Sequence, residues 1–94
     1  MADLRLEWSN AARADLLAIL DYISDDNPDA ADHLIVEIEA KASRLPEQPN
    51  LYRKGRAAGT REMIVRSNYL IVYTVDDQAV RVLRILHAAQ QWPI

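Results

Sequence analysis

The hydrophobic period of the chain changes once, at Arg61, and that change constrains the fold more than any other feature. Before it, apolar residues recur at helical spacing. Ala12, Leu16, Ile19, Leu20 and Ile23 form one stripe; Ala31, Leu34, Ile35, Ile38, Ala42 and Leu45 form a second. From Arg61 onward, "REMIVR", "YLIVYTV" and "AVRVLRILHA" run with a period near two, which predicts three strands. "LRLEW" near the start also alternates, with Leu4, Leu6 and Trp8 on one face. Two one-sided helices need a flat apolar surface to cover them, and a sheet supplies it.

Local signals mark the boundaries. Ser9 and Asn10 offer an N-cap for the first helix, because a short polar side chain accepts from the free amides of a first turn. "SDDNP" stops that helix, and Asn27 caps the next with Pro28 at its first position. Asp29 and Asp32 lie in or near that first turn, where the helix dipole favours negative charge. The second helix ends before Pro46, so the two form an antiparallel hairpin. "PEQPNLYRKGRAAG" is a loop punctuated by Pro46, Pro49, Gly55 and Gly59, and its length points to mobility or function. Tight turns are expected at Ser67-Asn68 and Asp76-Asp77. "YLIVYTV", apolar on both faces, reads as a central strand. The expected fold is α+β in the order β-α-α-β-β-β, an antiparallel sheet packed against an α-helical hairpin, with residues 1–94 as one domain.

Composition excludes several classes of function. The chain has no Cys, so it has neither disulfide, thiolate zinc site nor cysteine nucleophile. No stretch reaches the roughly 18 apolar residues of a membrane span, and "MADLRLEWSN" lacks signal-peptide features. A cytoplasmic location without membrane contact is the expectation. Gly55 and Gly59 match no nucleotide fingerprint. Asp29 and His33 have a spacing that suits metal ligands, but acids at a helix start are expected for dipole reasons, so neither a metal nor a cofactor is assigned. Charge is divided unevenly: eleven acids against four bases in residues 1–50 give −7, and three against seven in residues 51–94 give +4. Such a split suits either an anionic partner on one face or no partner at all.

The order of elements, the run "GTREMIVRSNYLIVYTV" and the ending "VRVLRILHAAQQWP" resemble the RelE/ParE superfamily, the toxins of bacterial type II toxin–antitoxin modules. The resemblance spans essentially the whole chain. It implies a cognate antitoxin and one of two targets. RelE-like members are ribosome-dependent mRNA endonucleases; ParE-like members inhibit DNA gyrase by binding, with no catalytic residues assigned.

The departures favour the ParE-like branch. RelE-type nucleases commonly place an arginine after the tyrosine of the motif that here reads "NYLIVY", where this chain has Leu70. They also place basic and aromatic residues after the last strand, where this chain has neutral Gln90 and Gln91. If the chain is a nuclease, Arg61, Arg66 and His87 are the candidate catalytic residues, with imidazole the right base near neutral pH. The other role for His87 is to close the core edge, since Leu83, Ile85 and His87 fall on one strand face. If the chain acts by docking, the partner-binding residues are Arg53, Arg56, Arg61, Arg66, Tyr73, His87, Gln90 and Trp92. The basic set, with Lys54, suits an RNA backbone, an acidic protein segment or a solvated face. Trp92 suits an interface anchor or a cap on the core. ParE-like members often carry arginines where this chain has "AAQQ", which leaves open the target and an inactive, antitoxin-binding role.

Overall fold

The computed structural model describes residues 4–88 and Trp92. Seven elements follow in order: β1 (Arg5–Trp8), α1 (Asn10–Ser24), α2 (Pro28–Ser43), β2 (Arg53–Lys54), β3 (Arg61–Val65), β4 (Tyr69–Val75) and β5 (Ala79–His87). Both helices start where their caps place them. The Ser9 hydroxyl accepts from the Ala12 amide at 3.0 Å, and the Asn27 side chain accepts from the Ala30 amide at 3.1 Å. The amides of Asp26 and Asn27 both donate to the Ile23 carbonyl, closing α1 and turning the chain into α2.

The sheet runs in the order β1-β5-β4-β3-β2. Its central strand is β4, as the apolar pattern predicts, and Leu70, Ile71, Val72 and Tyr73 are all buried. The helical hairpin covers one face, with α1 against β5 and α2 against β3. Leu34, Ile38 and Leu45 from the hairpin side meet Met63, Val65, Ile71, Val80, Val82 and Ile85 from the sheet. Each fully buried large aliphatic side chain contributes about 1.5–3 kcal/mol relative to exposure.

Three features differ from the expectation. First, β1 lies parallel to β5, with Arg5 opposite Ala79 and Trp8 opposite Val82, so the sheet is mixed. Every other element intervenes between those two strands, and local periodicity carries no information about so distant a partner. Second, the short β2 pairs with β3 inside the segment expected as loop. Third, β5 contains a bulge: Val72 faces Arg84 while Tyr73 faces Val82, leaving Leu83 as the extra residue. The bulge shifts the alternation, so the core face of β5 runs Val80, Val82 and Ile85, and Leu83 does not share it.

The two hairpin turns are built differently. Between β3 and β4, Arg66 and Ser67 both take left-handed backbone angles, φ 58° and 75°. Between β4 and β5, the Asp76 carboxylate accepts from the amides of Gln78 and Ala79 at 2.8 and 2.9 Å.

Candidate functional site

The basic residues read as one patch are, for the most part, engaged within the fold. Glu62 is buried, 2% exposed, on the face of β3 away from the helices. Arg53 reaches its Oε1 at 3.1 Å and Arg56 lies 3.6 Å from its Oε2. The Arg56 amide also donates to Glu62 Oε2 at 3.0 Å. Arg61 donates to the carbonyl of Tyr52 at 2.7 Å and of Asn50 at 3.4 Å. Arg66 reaches across to Glu37 of α2 at 2.8 Å. Lys54 is exposed and makes no ion pair among the described residues.

The same contacts fasten the long loop. Gly55 donates to the Thr60 carbonyl at 2.8 Å, and the Thr60 hydroxyl donates to Ala57 at 2.7 Å. Tyr73 adds the deepest tie. Expected among the partner-binding residues, it is fully buried, and its hydroxyl donates to the Pro49 carbonyl at 2.9 Å. Burial pushes its pKa up, with the positive charge of Arg61 opposing. The phenol holds the loop from inside and offers no contact surface, so it leaves the partner-binding set.

Arg61, Arg66 and His87 do not converge. Arg61 opens β3 opposite Tyr73, and Arg66 follows its last residue. Five residue steps separate the two, roughly 16 Å at about 3.3 Å per step. His87 ends β5 opposite Tyr69, which in turn lies opposite Val65. Arg66 and His87 therefore share one end of the sheet with β4 between them, roughly 10 Å for two strand spacings.

His87 is exposed, and its ring meets Tyr69 edge-on with centroids 5.4 Å apart. Together with Ala18, Ile19 and Tyr22 of α1, this pair lines an open cavity of about 410 Å³. Tyr22 stands 80% exposed at its rim. A second groove, of about 310 Å³, runs along the hairpin between Leu16, Leu17 and Leu20 of α1 and Ile35 of α2, with Arg13 and Glu39 together at one end. Leu17, in its lining, is 63% exposed.

At the C-terminal end, Trp92 is half-buried and the Arg84 guanidinium sits 5.7 Å from its ring centroid. Asp15 of α1 holds Arg84 through both carboxylate oxygens, at 2.7 and 3.0 Å. That hydrogen bonding raises the pKa of Arg84. Gln90, expected beside Trp92 on a docking surface, lies outside the described residues. Neither motif nor charge singles out Asp15, Arg84 or Tyr22, and Tyr69 enters the sequence reading only as the tyrosine of "NYLIVY". Their signal was present in part, since Asp15 shares a helix face with Ile19 and Tyr22. Among the described residues no three His, Asp or Glu side chains are placed to hold a metal, and no helix is long and apolar enough to cross a membrane.

The sequence model of the family described as "ParE toxin of type II toxin-antitoxin system, parDE" matches residues 6–92. This chain belongs to the ParE toxin family. Two relatives also carry toxin names. The putative toxin Y4kP of Sinorhizobium fredii is 36% identical over 94 residues, 99% of this chain and 97% of that protein. Toxin RelE2 of Caulobacter vibrioides is 40% identical over 83 residues, 88% of this chain and 93% of that protein. In structure, the chain is similar to a chain of the chromosomal ParDE system of P. aeruginosa, with a TM-score of 0.79 and 25% identity over 90% of this chain and 96% of that one. The ParE fold thus accounts for both the helical hairpin and the mixed sheet.

Proposed function

We propose that this ParE-family toxin acts by docking on DNA gyrase, without bond-breaking chemistry of its own, and that a cognate antitoxin neutralises it. The observation that carries the reading is the dispersal of the nuclease candidates. Arg61 is spent on loop carbonyls at one end of β3, while Arg66 is paired to Glu37 at the other. A phosphodiester cleavage site needs a base, an acid and cations converging within hydrogen-bond reach of one phosphate. The departures at Leu70, Gln90 and Gln91 support the same conclusion. The docking surface is assigned to the C-terminal edge, with His87, Gln90 and Trp92. The arginines 53, 56, 61 and 66 act mainly to hold the fold. Their charges still lend the β2–β3 edge a positive field toward an acidic partner.

The antitoxin is assigned to the groove of the hairpin. Leu16, Leu17, Leu20 and Ile35 form an apolar strip there, with Leu17 63% exposed, and a disordered tail that folds on binding can cover such a strip. Leu17→Asp is expected to weaken antitoxin capture at least tenfold with the fold intact, measured by titration calorimetry.

The test of target is direct. Purified toxin is titrated into a gyrase supercoiling reaction and, separately, into ribosomes programmed with a defined mRNA. Loss of supercoiling with intact mRNA is expected. Cleavage of mRNA that depends on His87, with supercoiling untouched, would overturn the docking reading in favour of a RelE-like endonuclease.

A further inference from the structure

Strand β1 ends at Trp8, and the next residue, Ser9, bonds back to the carbonyls of Val82 and Leu83. Beyond Leu83, therefore, the outer edge of β5 has no neighbouring strand among the described residues. Asp15 takes that place. Its Oδ2 accepts the Ile85 amide at 2.9 Å, as a strand carbonyl would, while both oxygens grip Arg84. A carboxylate that holds a guanidinium by two oxygens fixes its plane as well as its position. The bulge at Leu83 is what turns Arg84 to its place opposite Val72, and from there its guanidinium meets the ring of Trp92. The distance is that of a cation–π contact. Trp92 is also held imperfectly, for its Nε1 is buried with no acceptor among the described residues. A buried donor without a partner is costly, so this seating gives up one hydrogen bond that a different position of the ring would regain.

From these contacts we infer that Asp15 and Arg84 are positioning residues for Trp92, holding the indole in a resting seat from which it is released onto a partner that offers a carbonyl acceptor. The inference rests on the docking reading for its functional half. Its structural half stands on the contacts alone. Asp15 belongs to α1, so a substitution there is expected to be felt at the far end of the sequence.

The test uses the full chain in a Trp8→Phe background, in which Trp92 is the one fluorophore of its kind. Asp15→Asn keeps an oxygen for the Ile85 amide and removes the ion pair; Arg84→Gln removes the cation. Each is expected to shift Trp92 emission to the red and to raise acrylamide quenching about twofold or more. The double variant is expected to match the single ones, because both break one linkage. Arg84→Lys, which keeps the charge and loses the two-point grip, should fall between and guards against a variant that fails to fold. Unchanged emission in Asp15→Asn and Arg84→Gln, with native circular dichroism, would overturn the inference whatever the toxicity. Growth inhibition is then read for the same variants and for Trp92→Ala. Shifted emission with reduced toxicity supports both halves. Shifted emission with full toxicity in Trp92→Ala would instead overturn the docking reading, and with it the release onto a partner.

Discussion

Glu62 shows how a single residue decides the meaning of its neighbours. A carboxylate on the buried back of β3 draws Arg53, Arg56 and an amide onto itself, so a loop rich in bases becomes a closed structural unit. Glu62→Gln is expected to cost about 1–3 kcal/mol, the scale for disturbing a buried charge-assisted bond with partly exposed partners. Urea unfolding measures it, and amide exchange at residues 53–56 should quicken in the same variant. Gly55 sits under the same loop, where an added Cβ would run into the Thr60 hydroxyl. Gly55→Ala should destabilise by about 1–3 kcal/mol through crowding, and a second change, Thr60→Ala, should recover part of that loss. The sequence shows the bases here, but not that they are consumed. Their acceptor is one residue on a strand whose inner and outer faces alternate, and which face Glu62 takes depends on the register with β4.

At the scale of elements, the helices were the most legible part. Their caps at Ser9 and Asn27 are local, and a stripe at helical spacing needs no partner to be recognised. The strands from Arg61 onward were nearly as clear. What escaped was pairing: the parallel contact of β1 with β5, and the bulge that removes Leu83 from the face of Ile85. Both depend on residues far apart in the chain. The β4–β5 turn carries its own electrostatics. Asp76 has its pKa lowered to about 2 from 3.8, first by its hydrogen bond with Arg81, then by the amides of Gln78 and Ala79. A folded-state pKa below the unfolded one means the turn's contribution is present above 3.8 and is lost as pH falls through about 2. Asp76→Asn should therefore flatten that part of the acid unfolding curve and lower stability at neutral pH, as followed by circular dichroism across an acid titration.

Across the whole molecule, the opposite charges of the two halves of the sequence meet within the fold. Arg66 pairs with Glu37, Arg81 with Glu7 and Arg84 with Asp15, each joining the basic half to the acidic half at 2.7–2.8 Å. A split that suits, in the sequence, either a binding face or none is thus in good part the stitching between helices, first strand and sheet. The remaining accessible features are of another kind: an apolar groove on the hairpin, an aromatic cavity at His87, and Trp92 poised on Arg84. Under the docking proposal these are the surfaces a partner would meet. The candidate site was legible in the sequence as far as His87 and Trp92, which lie near the end of the chain. It was not legible at Asp15, which joins them only through the fold.

The most direct measurement of the central claim is pulse-labelling of protein synthesis in the first minutes after this toxin is induced without antitoxin, in cells that also carry a DNA-damage reporter. Continued translation with a rising damage signal is expected, and deletion of residues 90–94 should abolish that signal. Translation collapsing before any damage signal, and equally so in the deletion variant, would contradict the docking account and return Arg66 and His87 to the centre of the mechanism.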